Sequence, residues 1–299
     1  MDYDKLYDAG MAPQARTGEP PAGDLRDGSV YVYEDEIELA VNVALATGRP
    51  LLVCGPPGSG KSSLAPNVAR TEGWRYLEQV ISSTTQARDL LWTFDAVARL
   101  RDAQAHESDV KPLRDYIEPG VLWHAFDPRS AETRGEEDGG APVRAVVLLD
   151  EIDKADPDVP NNLLVPLGSW EFAVPDLDVT VHAAVPPLVV LTTNDERELS
   201  KPFVRRCIVL TLERPDADRL TEIAGAHFPA GDDALHRRLA DIVASMAADA
   251  DVAAAPSTAE FLDAIRACRE LGVTPDDGDW AILERLVLTK RVEGVTWPG

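Results

Sequence analysis

The stretch "CGPPGSGKSS", residues 54–63, constrains the fold of this chain more than any other part of its 299 residues. It contains the spacing G-x-x-x-x-G-K-[ST] of a phosphate-binding loop, a loop that follows a buried strand and opens a helix. A short apolar run, residues 50–54, precedes it, and residues 63–70 carry apolar side chains at helical spacing. The alternative is a Gly/Pro turn that happens to contain Lys-Ser, but both flanks favour the phosphate-binding loop.

This loop predicts how a nucleoside triphosphate and its metal are held. Glycines allow the backbone to curl until its N–H groups point at phosphate oxygens. Lys61 would reach the β- and γ-phosphates of ATP, and the Ser62 hydroxyl would be a ligand of Mg²⁺. The predicted nucleotide-binding residues are Gly55, Pro56, Pro57, Gly58, Ser59, Gly60, Lys61, Ser62 and Ser63.

Apolar runs that alternate with helical stretches predict an α/β fold. Five runs have strand character, and long crossover segments separate them. Crossovers of that length favour parallel strands covered by helices on both faces. We therefore expect a P-loop core with a parallel five-stranded sheet between helices. The five runs are residues 51–54, 76–81, 146–149, 188–192 and 208–212.

Changes of pattern along the chain predict three regions. Residues 1–28 are rich in Pro, Gly and Asp without periodicity, which indicates a flexible N-terminal arm. Residues 29–215 hold the strand-like runs and therefore the nucleotide-binding α/β domain. Beyond them only helical patterns occur, so we expect residues 216–299 to form a small all-α lid domain.

Two segments interrupt the alternation of strands and helices. Residues 127–142 lack any large apolar residue and are predicted to form an exposed, mobile loop. Residues 171–174 and 179–182 alternate apolar and polar side chains around a turn, which predicts a β-hairpin.

The stretch "TTQARDLLWTFDAVARL" has apolar residues at helical spacing. We expect its apolar stripe to lie in the core, and Trp92, which is off the stripe, is a candidate contact for a partner. The stripe consists of Leu90, Leu91, Phe94 and Val97.

Polar residues follow two of the strand-like runs. Asp150 and Glu151 come directly after residues 146–149, at the carboxyl end of a strand, where ligands bind in such sheets. Asp150 would hold Mg²⁺ through a water molecule, and Glu151 would polarise the attacking water. Asn194 follows the next run and would hydrogen-bond that water or a γ-phosphate oxygen. The alternatives are a solvated acidic turn for the two carboxylates and an ordinary turn for Asn194.

The order of these motifs, with Asp150-Glu151 about ninety residues beyond the loop and Asn194 after the following strand, resembles the AAA+ ATPases. Four longer strings narrow the likeness to the MoxR family. They are residues 31–45, "STTQARDLLWTFDAVARLRDAQ", "YIEPGVLWHAF" and "LTTNDERELSKPFVRRC". The resemblance extends from about Tyr31 to Lys290. It also implies that the hairpin of residues 171–182 faces the pore of a ring or the remodelled partner, and a plain edge hairpin is the alternative.

The resemblance implies a ring, usually a hexamer, that binds ATP and Mg²⁺ between its subunits. One subunit supplies the phosphate loop and its neighbour an arginine finger, which Arg206 matches best, with Arg205 beside it. Ordinary surface ion pairs are the alternative for these arginines. Lids of this class often carry an arginine that touches the γ-phosphate. Ala259 stands in its place here, and Arg266 is a candidate substitute.

The resemblance also implies an ATP-hydrolysing remodeller or chaperone that acts on a protein client, together with a protein that has a von Willebrand factor A domain. A nucleic-acid-directed motor and a nucleotide-dependent scaffold in a signalling or defence assembly are the alternatives. Charge argues against the motor, because 29 basic and 52 acidic residues give a net charge of −23, and no Lys or Arg occurs in residues 155–196. Glu151 argues against the scaffold, which needs no group to orient water.

Composition predicts a cytoplasmic protein without nucleic-acid or membrane partners. The acidic surface repels anionic membranes, and no apolar run approaches the ~20 residues of a membrane span. The beginning of the sequence lacks the basic and apolar regions of a signal peptide. The three cysteines are far apart within apolar runs, which indicates buried free thiols in a reducing compartment.

Overall fold

The computed structural model describes residues 3–12, 28–105, 111–136, 143–249 and 255–289. Its contacts divide the chain into two units, each with its own hydrophobic core. The first unit comprises Met1–Ala9, Glu34–Cys54 and Val68–Thr211, and the second comprises Gly10–Tyr33, Gly55–Asn67 and Leu212–Gly299. The domain limits at residues 28 and 215 remain predictions.

A five-stranded parallel sheet lies at the centre of the first unit. Its strands are β1 (Leu51–Cys54), β2 (Arg75–Val80), β5 (Ala145–Asp150), β8 (Leu188–Thr193) and β9 (Ile208–Thr211). They lie in the order β2-β5-β8-β1-β9. Every residue of β5 and β8 is buried, as expected of central strands whose two faces are both covered. The predicted α/β fold with a parallel five-stranded sheet is confirmed.

The register of the central strands decides which side chains meet at the carboxyl edge. Leu149 of β5 lies beside Leu191 of β8, so Asp150 and Thr192 come next to each other at the ends of these strands. On the other side of β8, Thr193 pairs with Cys54, the last residue of β1.

Two small antiparallel sheets accompany the main sheet. One joins β3 (Trp92–Phe94) to β4 (Ile117–Pro119), and the other joins β6 (Glu171–Val174) to β7 (Val179–His182). The β6–β7 pair confirms the predicted hairpin. Phe172 of this hairpin belongs to the core of the first unit, whereas the neighbouring Glu171 is exposed.

Short helices connect the strands of the first unit. Two of them contact the main sheet, namely α1 (Asp35–Thr47) at β1 and β9, and α4 (Val121–Phe126) at β2 and β5. Helix α2 (Lys61–Glu72) begins in the second unit and ends in the first. The others are α3 (Ala96–Ala105), α5 (Pro128–Thr133), α6 (Asp158–Leu163), α7 (Pro166–Ser169) and α8 (Lys201–Val204).

The predicted helical stripe around Trp92 is wrong. Residues 92–94 form strand β3, because Phe94 pairs with Ile117 of β4, and the chain turns helical only at Ala96. Trp92 is buried with the Arg88 guanidinium 4.0 Å from its ring centroid, so it is no exposed partner contact. The expected core position is nevertheless confirmed for Leu90, which is buried, and Leu91 and Phe94 pack against the core. Val97, also expected in the core, is 68% exposed.

The beginning of the chain packs on helix α1. Tyr7 is 1% exposed, and the backbone N–H groups of Leu6 and Tyr7 donate to Asn42 Oδ1 over 2.6 and 2.8 Å. Asn42 Nδ2 donates in turn to the Tyr7 carbonyl over 2.8 Å. The prediction of a flexible arm is therefore wrong for residues 3–9, whereas residues 13–27 lie outside the described part of the chain.

The predicted loop at residues 127–142 is helical in its first half. Asp127 caps helix α5 by accepting the Ser130 N–H over 3.0 Å. Ser130 is buried, and its hydroxyl accepts the Trp123 indole N–H over 3.1 Å. The segment lacks large apolar residues, which suggested a loop, but the small residues Ser130 and Ala131 are buried and let a short helix pack closely. Residues 137–142 lie outside the described ranges.

The second unit contains four helices in its described part, α9 (Ala217–His227), α10 (Asp233–Asp249), α11 (Thr258–Leu271) and α12 (Trp280–Glu284). A π-helical turn, Arg285–Thr289, follows. Helix α11 begins with a capping box, in which Ser257 and Glu260 satisfy each other's backbone N–H groups. In the described ranges, no helix is both long and apolar enough to cross a bilayer.

All three cysteines are free thiols. Cys207 and Cys268 are buried, as predicted, whereas Cys54 is only half-buried. Burial raises the pKa of the Cys207 thiol to about 12, so this group stays protonated and unreactive at neutral pH.

Replacing Asn42 with Ala should loosen the beginning of the chain. The change leaves the buried Tyr7 N–H and the partly buried Leu6 N–H without an acceptor, which costs about 1–3 kcal/mol. Limited proteolysis should then cleave within residues 3–12 faster than in the wild type, and urea should unfold the variant at a lower concentration. Gln104→Ala, at an exposed position of α3, is the control. Equal cleavage rates for all three proteins would contradict the anchoring role of Asn42.

Candidate functional site

The phosphate loop follows β1 directly, and none of its three glycines, Gly55, Gly58 and Gly60, can be replaced without strain, since all have positive φ angles. Gly55 and Gly58 have φ angles of 146° and 78°, a region that favours glycine. A Cβ atom on Gly55 would lie 2.3 Å from the Leu212 carbonyl oxygen, and one on Gly58 would lie 2.4 Å from the Ser257 Cβ. The backbone of the loop is therefore packed closely against residues of the second unit, to which it belongs.

Lys61 is the first residue of helix α2 and is only 6% exposed. Its ammonium donates to the carbonyl oxygens of Gly55 and Pro56, each over 2.8 Å, and so folds back over the loop. The Ser59 hydroxyl is buried and has no hydrogen-bond partner among the described residues. A buried ammonium, an unpaired hydroxyl and the positive end of a twelve-residue helix together fit a phosphate group.

A cleft beside the loop lies wholly within the second unit. Pro57 and Gly58 form one wall, and the start of α11 at Ser257 forms another. The space enclosed there is about 10 Å³, room for roughly one water molecule. The cleft is therefore too small for a nucleotide base as it stands in this structure.

In the first unit, Thr192 joins the two carboxylate residues at the end of β5. Its hydroxyl donates to Asp150 Oδ1 over 2.5 Å and accepts the Glu151 N–H over 2.9 Å. Both Asp150 and Thr192 are buried. The sequence analysis missed Thr192; its only signal was a hydroxyl in an apolar strand, two residues before Asn194.

Glu151 and Asn194, predicted to lie together, are in contact. Asn194 Nδ2 donates to Glu151 Oε1 over a long 3.4 Å. Lys154 Nζ donates to the other oxygen, Oε2, over 2.8 Å, and this hydrogen bond raises the pKa of Lys154. Glu151 itself has a φ of 62°, a left-handed conformation that costs a non-glycine residue of order 1–3 kcal/mol. The sequence analysis also missed Lys154, whose signal was a cation three residues after a predicted catalytic carboxylate.

A third polar residue of this turn is also bonded to the loop after β8. Asp153 is buried, and its Oδ2 accepts the backbone N–H of Glu196 over 3.0 Å. With the bonds from Thr192 and Asn194, three hydrogen bonds join the turn after β5 to the end of β8 and its loop. Asp153 was not identified from sequence, because an acidic residue in an acidic chain carries no signal of its own.

Arg205 and Arg206 follow helix α8 and have exposed side chains. Neither guanidinium has an ion pair or a hydrogen bond within the part of the chain that the structure describes. The alternative role of these arginines, in surface ion pairs, is therefore not seen among the described residues. Their backbone is held by Arg49, whose guanidinium donates to the carbonyls of Arg205, Arg206 and Cys207. Arg49 was missed by the sequence analysis.

Helix α11 carries both lid positions considered above. Ala259 is exposed in its first turn. Arg266 is half-buried, and its Nη2 is buried without a hydrogen-bond partner among the described residues. Its role as a substitute for the lid arginine stays a prediction.

Comparisons with known proteins identify the family to which this chain belongs. Residues 50–207 match the AAA domain family, dynein-related subfamily. This match spans more than half of the chain, so the protein belongs to that family, a group within the AAA+ ATPases. The family implies nucleotide binding and hydrolysis in general, typically with Mg²⁺, and its members commonly form ring oligomers. No curated protein matches the sequence.

Solved structures of similar fold include three variants of RuvB from Thermotoga maritima. Their sequence identities to this chain are 17%, 17% and 15%, with TM-scores of 0.52, 0.52 and 0.51. The matches cover 87%, 87% and 86% of this chain and 70% of each RuvB chain. At such identity the likeness supports the AAA+ fold alone.

Thr192→Val should weaken the strand-end network without changing the shape of the side chain. The buried Asp150 carboxylate loses a donor and the Glu151 N–H loses its acceptor, so we expect unfolding to become easier by about 1–3 kcal/mol. Thr192→Ser keeps the hydroxyl and should lose less. Urea unfolding of the three proteins measures this difference, and a valine variant as stable as the wild type would show that the hydroxyl contributes nothing.

Proposed function

We propose that this protein hydrolyses ATP to ADP and phosphate. The observation that carries the proposal is the phosphate loop, in which the buried Lys61 ammonium and the start of helix α2 fit a phosphate group. Membership of the AAA domain family supports it.

The proposed roles follow from the chemistry of each side chain. Lys61 neutralises charge on the β- and γ-phosphates, and backbone N–H groups of the loop bind their oxygens. Glu151 polarises the attacking water, and Asn194 hydrogen-bonds that water or the γ-phosphate. Because β1, β5 and β8 are parallel, their carboxyl ends share one edge of the sheet, and the loop begins one residue after β1.

Ser62 and Asp150 are the proposed Mg²⁺ ligands. Among the described residues, no group of three or more His, Cys, Asp or Glu could form a metal site by itself. This composition fits Mg²⁺, which usually takes one or two protein oxygens together with substrate phosphates and water. When bound, the ion would supply positive charge to the phosphates.

Lys61→Ala should abolish ATP binding, since backbone N–H groups alone leave the β/γ charge poorly neutralised. Isothermal titration calorimetry with ATP and Mg²⁺ measures this loss. Lys111→Ala, which removes an exposed lysine outside the loop, is the matched control and should bind like the wild type. Tight ATP binding by the Lys61→Ala protein would remove the loop from the mechanism.

We also propose a ring, a hexamer as in the MoxR family, in which Arg206 acts on ATP bound to the neighbouring subunit, with Arg205 beside it. The exposed side chains of both arginines support this role, since neither has an acidic partner among the described residues. An exposed guanidinium can form short, bidentate, charge-assisted hydrogen bonds with phosphate oxygens, such as those of a γ-phosphate bound to the neighbouring subunit.

Mixing two inactive variants tests this arrangement. Arg206→Ala should bind ATP but hydrolyse it far more slowly, since arginine fingers contribute on the order of 10³–10⁵ in rate in GTPases. Lys61→Ala keeps the finger but lacks a working loop. A mixture should recover part of the activity, because some interfaces pair an intact loop with an intact finger.

Each variant alone, at the same total concentration, is the control for the mixture. Light scattering confirms that mixed assemblies form. If mixed assemblies form and no ratio of the two variants restores phosphate release, Arg206 does not act on a neighbour.

For the partners, we propose a MoxR-type remodeller or chaperone in the cytoplasm that acts on a protein client together with a von Willebrand factor A domain protein. The MoxR-like strings around the motifs support this assignment. Nucleic acid is disfavoured by charge, because the β6–β7 hairpin exposes Glu171, Asp176 and Asp178 and the whole chain carries a net charge of −23.

A further inference from the structure

Both carboxylate oxygens of Glu151 have a donor in this structure. Lys154 Nζ donates to Oε2 over 2.8 Å, and Asn194 Nδ2 reaches Oε1 over 3.4 Å. Of the two donors, Lys154 is the closer and the only one that carries a charge. An ammonium at this distance occupies one of the acceptor sites of the carboxylate and holds its orientation, so an attacking water competes with it for Glu151.

The backbone around Lys154 is fixed, so its ammonium stays within reach of Glu151. Ile152 and Asp153, which precede Lys154 in this short turn, are buried, and Asp153 accepts the N–H of Glu196. The Lys154 N–H donates to the Glu151 carbonyl over 3.0 Å. The cation and the carboxylate therefore belong to one anchored turn rather than to two independent segments.

The ion pair itself is open to solvent. The side chains of Lys154 and Glu151 are 40% and 30% exposed. Ion pairs with such exposure are weak and are screened by salt, so the paired and unpaired forms differ in population by only a few-fold. The pair can thus open easily, so it can hold Glu151 reversibly rather than permanently.

We infer that the Lys154–Glu151 ion pair restrains hydrolysis, and that Lys154 is a positioning residue that sets how often Glu151 can act on water. This inference rests on the proposed function, in which Glu151 polarises the attacking water. Only the unpaired fraction of molecules is competent, so the rate follows that fraction. Removing the ammonium makes every molecule competent.

Lys154→Met, compared with the wild type, tests the restraint. We expect kcat for ATP to rise about two- to five-fold, the range that exposed ion pairs permit, with KM unchanged because nucleotide contacts are intact. Lys154→Arg keeps a cation and should return the rate to that of the wild type. Lys111→Met is the same substitution at an exposed lysine outside the site and should change nothing.

Ionic strength and a second variant background provide two further tests of the restraint. Raising the ionic strength should increase kcat of the wild type more than that of Lys154→Met, since only the wild type has the pair to screen. In a Glu151→Gln background, where the carboxylate is absent, Lys154→Met should leave the residual rate unaltered. Light scattering at each salt concentration controls for changes in assembly.

Competitive acetylation gives a readout that needs no catalysis. Without nucleotide, acetic anhydride should modify Lys154 about two- to five-fold faster in Glu151→Gln than in the wild type, because the paired ammonium is a poor nucleophile. Lys111 should react equally in both proteins. Mass spectrometry of the digested protein reports both rates.

The outcomes separate the restraint from the proposed function. A wild type that hydrolyses ATP at a rate that Lys154→Met does not exceed overturns the restraint alone, and so does equal acetylation of Lys154 in wild type and Glu151→Gln. A fall in kcat that Lys154→Arg reverses means that Lys154 assists hydrolysis, which also overturns the restraint. Absence of hydrolysis in every protein, with assembly confirmed, overturns the proposed function and the restraint with it.

Discussion

The structure depends on the complete burial of two parallel strands, β5 and β8. Their backbone groups are satisfied by the hydrogen bonds of the sheet, and their side chains up to Leu149 and Leu191 are apolar. Polar side chains can therefore occur only where these strands end. A buried carboxylate at that place is costly unless it is hydrogen-bonded, and Thr192 supplies the bond to Asp150. Burial of the strands thus confines the polar side chains to one edge of the sheet.

The turn after β5 fixes the positions of the polar side chains at this edge of the sheet. Glu151 adopts a left-handed conformation, and its N–H is held by Thr192, so the chain reverses immediately after Asp150. The strain of that conformation persists because neighbouring bonds fix both ends of the turn, among them that from Glu196 to Asp153. The same reversal brings Lys154 back to the Glu151 carboxylate. On the proposed function, one tight turn thus both presents the water-polarising group and restrains it.

The sequence was sufficient for the sheet and for the phosphate loop, because both depend on local signals. Continuous apolar runs predict buried strands, and the loop has a fixed spacing of Gly, Lys and Ser. The contacts of Thr192 and Asp153 could not be predicted, since they depend on the register between strands about forty residues apart. Val97 was misplaced because three apolar residues at helical spacing also fit a strand followed by a helix. Residues 3–9 lack the periodic apolar pattern that marks most packed segments, so the sequence suggested a flexible arm. They are held instead by hydrogen bonds to one buried amide, that of Asn42.

The exposed arginines and the paired glutamate both bear on how ATP hydrolysis would be controlled. An AAA+ subunit that carried every catalytic group in a working position would hydrolyse ATP whether or not it had met a neighbour. In this chain the candidate finger, Arg206, has no acidic partner among the described residues, and the candidate water-polarising group, Glu151, is held by Lys154. On the proposed function, both arrangements would lower the rate of an isolated subunit and would cost little to reverse, the first by assembly and the second by opening a solvent-exposed ion pair. For a remodeller, whose hydrolysis is useful only when coupled to a partner, weak and reversible restraints of this kind suit the proposed function better than a fully assembled site would.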